Sequence, residues 1–100
     1  MKYKAHYPKF QEALDRFMEN PYWRSIYDAA PENVKKSEEI VYYISLKEDE
    51  MSDEEEAEID RIRNEIHSSF SKEDWLYSAD TAVHPKQREW FMKKAEECDK

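Results

Sequence analysis

Apolar residues recur along most of this chain at the three- and four-residue spacing of an α-helix. Phe10, Ala13, Leu14, Phe17 and Met18 fall on one side of such a helix, and Gln11, Glu12, Asp15, Arg16 and Glu19 fall on the other. That is the pattern of a helix with one face in a core. Asn20 followed by Pro21 ends this run, because the residue before a proline avoids the helical region, and Asn can cap the helix that follows. Tyr22, Trp23, Ile26, Tyr27 and Ala30 then predict a second helix, giving a helical hairpin. Pro8, Pro21, Pro31 and Pro85 each precede a run with helical spacing, the position where proline's missing N–H costs nothing.

The middle of the chain divides the signals. Residues 40–46, Ile-Val-Tyr-Tyr-Ile-Ser-Leu, have the β-branched and aromatic content of a strand. The only other alternating segment, Tyr3, Ala5 and Tyr7, is too short to pair with it convincingly. Val34, Val41 and Ile44 also make a helical face, flanked by Ser37 and Ile40, so a helix is the expectation over residues 39–47, with a short strand as the alternative. Ser52 with Glu55 forms a capping-box sequence, and the acids at Asp53, Glu54 and Glu55 suit the positive end of a helix dipole. Ile59, Ile62, Ile66 and Phe70 mark the buried stripe of that helix. A second box, Ser71 with Asp74, opens a short helix carrying Trp75, Leu76 and Ala79, and Pro85 starts a last one with Phe91, Ala95 and Cys98 on one face. The predicted fold is all-α: one domain over residues 1–100, built as an irregular bundle of about five short helices.

Composition sharpens this reading. The 100 residues contain no glycine, which disfavours tight β-hairpins, phosphate-cradling loops and the glycine fingerprints of nucleotide-binding enzymes. Charged residues make up 40%, yet 14% aromatic content supplies enough apolar area for a core. Cys98 is the only cysteine, so no intrachain disulfide exists. No stretch approaches the roughly eighteen apolar residues of a membrane span. A soluble cytoplasmic protein without membrane contact is expected.

Charge is the most informative feature. Glu48, Asp49, Glu50, Asp53, Glu54, Glu55, Glu56, Glu58 and Asp60 lie within thirteen positions that hold no Lys or Arg, and outside them acidic and basic residues nearly cancel. Such a concentrated field attracts basic partners and repels nucleic acid. With a pI near 4.9, direct nucleic-acid binding is not expected. An EF-hand alignment of Asp49–Asp60 fails, since Met51 would occupy a ligand position and Glu54 the turn glycine. His6, His67 and His84 have no metal-motif spacing, and adjacent His67 and Ser68 diverge around a helix, so neither a metal site nor a Ser-His relay is indicated. Acidic neighbours, Glu96, Glu97 and Asp99, argue against a reactive Cys98. No cofactor, metal or catalytic residue is expected.

The large rings outnumber what helical faces alone can bury, which makes Trp23, Tyr43 and Trp90 candidate contacts beside the carboxylates Glu48, Asp49, Glu50, Asp53, Glu54, Glu55, Glu56 and Glu58. The function expected is a non-catalytic acidic interaction module with a basic protein partner. In size, charge and lack of cofactor signatures the chain resembles the proteins phages and mobile elements direct against host nucleases, including anti-CRISPR and anti-restriction proteins. The resemblance implies a DNA-mimic-like inhibitor lodged in the basic groove of a nucleic-acid-handling protein, and it carries no motif. DNA mimics spread their charge over a long surface, whereas this chain concentrates it. The alternatives are a structural or regulatory subunit that forms a homodimer through its aromatics, and an enzyme that binds a divalent metal through carboxylates.

Overall fold

A computed structural model describes residues Tyr3–Cys98; Met1, Lys2, Asp99 and Lys100 lie outside the described residues, including the Asp99 counted among the neighbours of Cys98. After an extended start and a 3-10 turn at Pro8–Phe10 come six helices: α1 (Gln11–Phe17), α2 (Pro21–Ala29), α3 (Glu32–Lys47), α4 (Asp53–Ser68), α5 (Lys72–Thr81) and α6 (Pro85–Glu97). No strand occurs among the described residues, and residues 39–47 lie in or at the end of α3. A strand there would have needed a partner, and the extended N-terminal segment instead spends backbone groups on side chains, the Ala5 N–H on Gln11 and the His6 N–H on Glu39.

The helix starts follow the local chemistry. Asn20 Oδ1 accepts from the Tyr22 N–H at 2.9 Å, with Pro21 as the first residue of α2. At α5 the full capping box forms, Ser71 Oγ accepting from the Asp74 N–H while Asp74 accepts from the Ser71 N–H. At α4 only half a box forms: Ser52 Oγ accepts from the Glu55 N–H at 3.2 Å, and the Glu55 carboxylate is used elsewhere. Pro85 opens α6, whereas Pro31 sits one residue before α3.

Ends without glycine need other solutions, and no described residue adopts positive φ. Ala30 and Ala82 end α2 and α5 by stepping into extended backbone, ahead of Pro31 in the first case. Arg24 serves α1, its Nε donating to the Met18 carbonyl at 2.8 Å.

The longest interior contacts gather on α3, which packs against the 3-10 turn, α1, α4 and α5, while α6 lies against α5. Phe10, Leu14, Val34, Ile40, Tyr42 and Ile59 are all but sealed from solvent. The buried positions of α3 are Val34, Glu39, Ile40, Tyr42 and Tyr43, which differs from the expected face: Val41 is 47% exposed and Ile44 is half-buried. A helix with neighbours on several sides buries more than one stripe, so periodicity alone misplaces its orientation.

The rings form three groups, of which Tyr7, Phe10 and Tyr43 make one. Near the N-terminus, Phe17 stacks on Tyr42 with centroids 4.3 Å apart, and Trp23 meets both edge-on. Toward the C-terminus, His67, Phe70, Trp75, Trp90 and Phe91 form the third group, with Trp75 and Trp90 edge-to-face at 5.7 Å. Such pairs add about 0.5–1.5 kcal/mol each beyond the area they bury. Polar bonds also connect distant elements: Tyr77 Oη donates to the Ile26 carbonyl at 2.6 Å, and Asn33 Nδ2 donates to the Ser69 carbonyl at 3.0 Å.

Within this core the Tyr42 hydroxyl is buried and makes no hydrogen bond of ordinary geometry among the described residues. Tyr42→Phe is therefore expected to change stability little, because the stack on Phe17 survives and a poorly satisfied hydroxyl is removed, against the loss of its influence on the Glu38 carboxyl. Leu14→Ala is expected to cost about 2–5 kcal/mol through the cavity it opens. Urea unfolding of both variants beside the parent chain checks this, and a loss above 1 kcal/mol (~1) for Tyr42→Phe would contradict it.

Candidate functional site

The nine carboxylates of residues 48–60 run from the turn where α3 ends into the first half of α4. Glu50 N–H bonds the Lys47 carbonyl at 2.7 Å to close the turn, and half-buried Met51 pins it to the core. Asp53, Glu54, Glu55 and Glu56 occupy the first turn of α4, where the helix dipole favours negative charge. Glu48, Asp49 and Glu50 follow the last turn of α3, at the negative end of its dipole. Helix stabilisation accounts for the first set and opposes the second.

Three of the nine are tied down internally. Glu55 Oε2 accepts from the Tyr43 hydroxyl at 2.7 Å and lies 3.1 Å from Lys9 Nζ, which also reaches Glu58 Oε1 at 3.0 Å. The Tyr43 hydrogen bond and then Lys9 hold the Glu55 carboxyl below its usual range, and the Glu58 hydrogen bond is the largest influence raising Lys9. Asp60 faces Arg63 at 3.8 Å. Glu48, Asp49, Glu50, Asp53, Glu54 and Glu56 are exposed and have no cation within salt-bridge distance among the described residues.

The candidate rings do not join this corner as one surface. Tyr43 is 6% exposed, packed on Phe10, and spends its hydroxyl on Glu55, so it belongs to the core and not to a contact face. Trp23 is half-buried in the N-terminal ring group. Trp90 alone is substantially exposed, at 46%, with Lys94 Nζ over its ring at 5.3 Å.

A second ionic centre was not foreseen from the sequence. Glu39 has no solvent exposure. Its carboxylate accepts from the His6 backbone N–H at 2.8 Å and the Tyr27 hydroxyl at 2.9 Å, and it meets His6 Nδ1 at 2.5 Å. The other imidazole nitrogen, Nε2, pairs with Glu32. Partial burial pulls the His6 pKa down, but the hydrogen bonds to Glu39 and Glu32 outweigh it and leave the pKa raised. This arrangement clamps the N-terminal segment to α3; the sealed Glu39 is closed to substrate. The only local hint was a Glu between apolar positions of one helix.

Other candidate groups lie outside both ionic centres. Burial, then Arg63 and Lys94, push His67 down to about 4, and the adjacent Ser68 hydroxyl bonds the Glu65 carbonyl at 2.6 Å instead of the imidazole. Burial pushes the Glu38 carboxyl up to about 7, with a smaller opposing influence from Tyr42. Cys98 is half-buried with its sulfur 4.0 Å from the Phe70 carbonyl. Among the described residues no three His, Cys, Asp or Glu side chains come together in a way that could hold a metal ion, and no helix is long and apolar enough to cross a membrane. Set beside protein-family models, curated proteins and solved structures, the chain matches none of them.

The His6 clamp sets a direction of pH dependence. A histidine whose pKa is raised by folding above 6.5 contributes stability that is complete below the unfolded value and is lost as the pH climbs through the folded one. The stability advantage of the parent over His6→Gln is expected to be largest near about pH 6 and to shrink toward about pH 9. Urea midpoints of both chains across that range check it, and a gap that widens with pH would refute the assignment.

Proposed function

We propose that this chain is a non-catalytic interaction module whose acidic corner docks on a compact basic surface of another protein, one that handles nucleic acid. The observation that carries the reading is the set of six exposed carboxylates, Glu48, Asp49, Glu50, Asp53, Glu54 and Glu56, gathered about one turn, with none of them in a salt bridge among the described residues. Three of them stand at the unfavourable end of the α3 dipole. Charge that costs local stability and meets no partner within the fold is available for steering and register at an interface. A groove shaped for phosphates offers matching cations, and carboxylates seated there would block nucleic acid in the manner of anti-CRISPR or anti-restriction inhibitors. The corner is small, so the complementary surface is a short stretch of such a groove and not its whole length.

The homodimer alternative is less well supported, because Tyr43 and Trp23 are engaged internally and leave Trp90 as the exposed ring of the three. The metal-enzyme alternative lacks a three-ligand cluster among the described residues; flat calorimetric titrations with calcium, magnesium and manganese would dispose of it.

Replacing Glu48, Glu50, Glu54 and Glu56 by Gln is expected to leave helical circular dichroism and thermal unfolding close to those of the parent, since none of the four makes a side-chain bond to another described residue. Capture of a basic protein from the native host, identified by mass spectrometry, is expected to fall by about tenfold, or roughly 1.4 kcal/mol. Rising salt or added duplex DNA is expected to weaken capture by the parent. Undiminished capture by the variant, or capture indifferent to salt and DNA, would overturn the proposal.

A further inference from the structure

Val41 and Ile44, whose spacing marks them for burial, instead border a half-open cavity of about 550 Å³ between α3, α4 and α6. Ile40, Trp90 and Phe91 complete its apolar wall. The volume is in the range of small-molecule sites, which are mostly apolar with a few converging polar groups. Here those groups include Ser37, Ser45, Gln87 and Lys86, none of which makes a side-chain hydrogen bond or ion pair to another described residue. Arg63 also borders the cavity and has only the long contact to Asp60.

The sign of the charge is the decisive feature. In a chain of net charge −8, the described lining of this cavity contains Arg63 and Lys86 and no carboxylate. Lys94 stands over the Trp90 ring, adding a third cation beside it. His67, also in the lining, is neutral at physiological pH because burial and the neighbouring Arg63 and Lys94 disfavour its proton. An apolar slot with a cationic rim favours a ligand that has a hydrophobic body and an anionic head.

We infer that the cavity between α3, α4 and α6 binds a small carboxylate with an aromatic or aliphatic body, its head held by Arg63 and Lys86 and its body lying between Ile40, Ile44 and Trp90. The site is separate from the acidic corner's proposed docking role and stands or falls independently of it. An acidic peptide side chain would share the charge, but the apolar wall calls for a longer hydrophobic body than Asp or Glu carries.

Calorimetry and heteronuclear NMR with 2-naphthoate and decanoate, each beside its uncharged alcohol, test the inference on the full chain. Saturable one-to-one binding of at least one carboxylate is expected, with shifts confined to residues bordering the cavity and affinity for the matching alcohol weaker by about tenfold or more. Lys86→Ala alone, and Arg63→Ala with Lys86→Ala, are expected to weaken the carboxylate and spare the alcohol, while the exposed Lys72→Ala leaves both unchanged. Lys86 is exposed and makes no ion pair or side-chain hydrogen bond to another described residue, so the single variant keeps the test readable if the double one is unstable. No saturable binding of either carboxylate at millimolar concentration, equal affinity for acid and alcohol, or binding indifferent to the loss of Lys86 and Arg63 would overturn it.

Discussion

A carboxylate removed from water must be met by donors, and the burial of Glu39 imposes that requirement on two other parts of this chain. Left alone, an ionised carboxylate in a protein interior costs several kcal/mol (about that order). His6 brings a backbone N–H and an imidazole from the N-terminal segment, and Tyr27 brings a hydroxyl from α2. The demand works as a specification: the N-terminal segment docks where both the backbone N–H and the imidazole of His6 meet Glu39. Once His6 is fixed, Pro8–Phe10 follow within a few residues, placing Phe10 in the core and Lys9 beside α4.

Lys9 thereby connects the hidden ionic centre to the exposed one. It spans Glu55 and Glu58 and lies over the Tyr43 ring, so a cation positioned by the N-terminal clamp selects which of the nine acids are consumed inside the fold. The same residue type plays two opposite parts. Glu39 and Glu55 are satisfied and architectural, whereas the acids of the 48–50 turn and the outer face of α4 keep their full field toward solvent. Sorting them needs only the presence or absence of a nearby donor.

Much of the architecture was legible because it is local. Asn20-Pro21, Ser52 and Ser71 with Asp74 announce helix starts through bonds that span three residues, and the i, i+3, i+4 spacing of Phe10, Ala13 and Leu14 was sufficient for α1. The helix over residues 39–47 was the stronger of two readings and is what forms. What was hidden depends on distant partners. The 33-residue separation of His6 and Glu39 has no local signature, nor has the crossing of Lys9 to Glu58, 49 residues away. Those long contacts made Tyr43 a core residue instead of a surface anchor, and contacts on several sides of α3 turned Val41 outward. The acidic corner itself was plain in the sequence; its division into spent and unspent charges was not.

The unspent charges also restrict how copies of the molecule can meet. In a closed homodimer, a patch crossed by the two-fold axis faces its own image. At the α3–α4 corner that would oppose six carboxylates to six more, none of them neutralised by a salt bridge among the described residues. Any symmetric pair must therefore put its axis on another face, and both acidic corners would point away from the seam, producing a bivalent assembly in place of a self-blocked one.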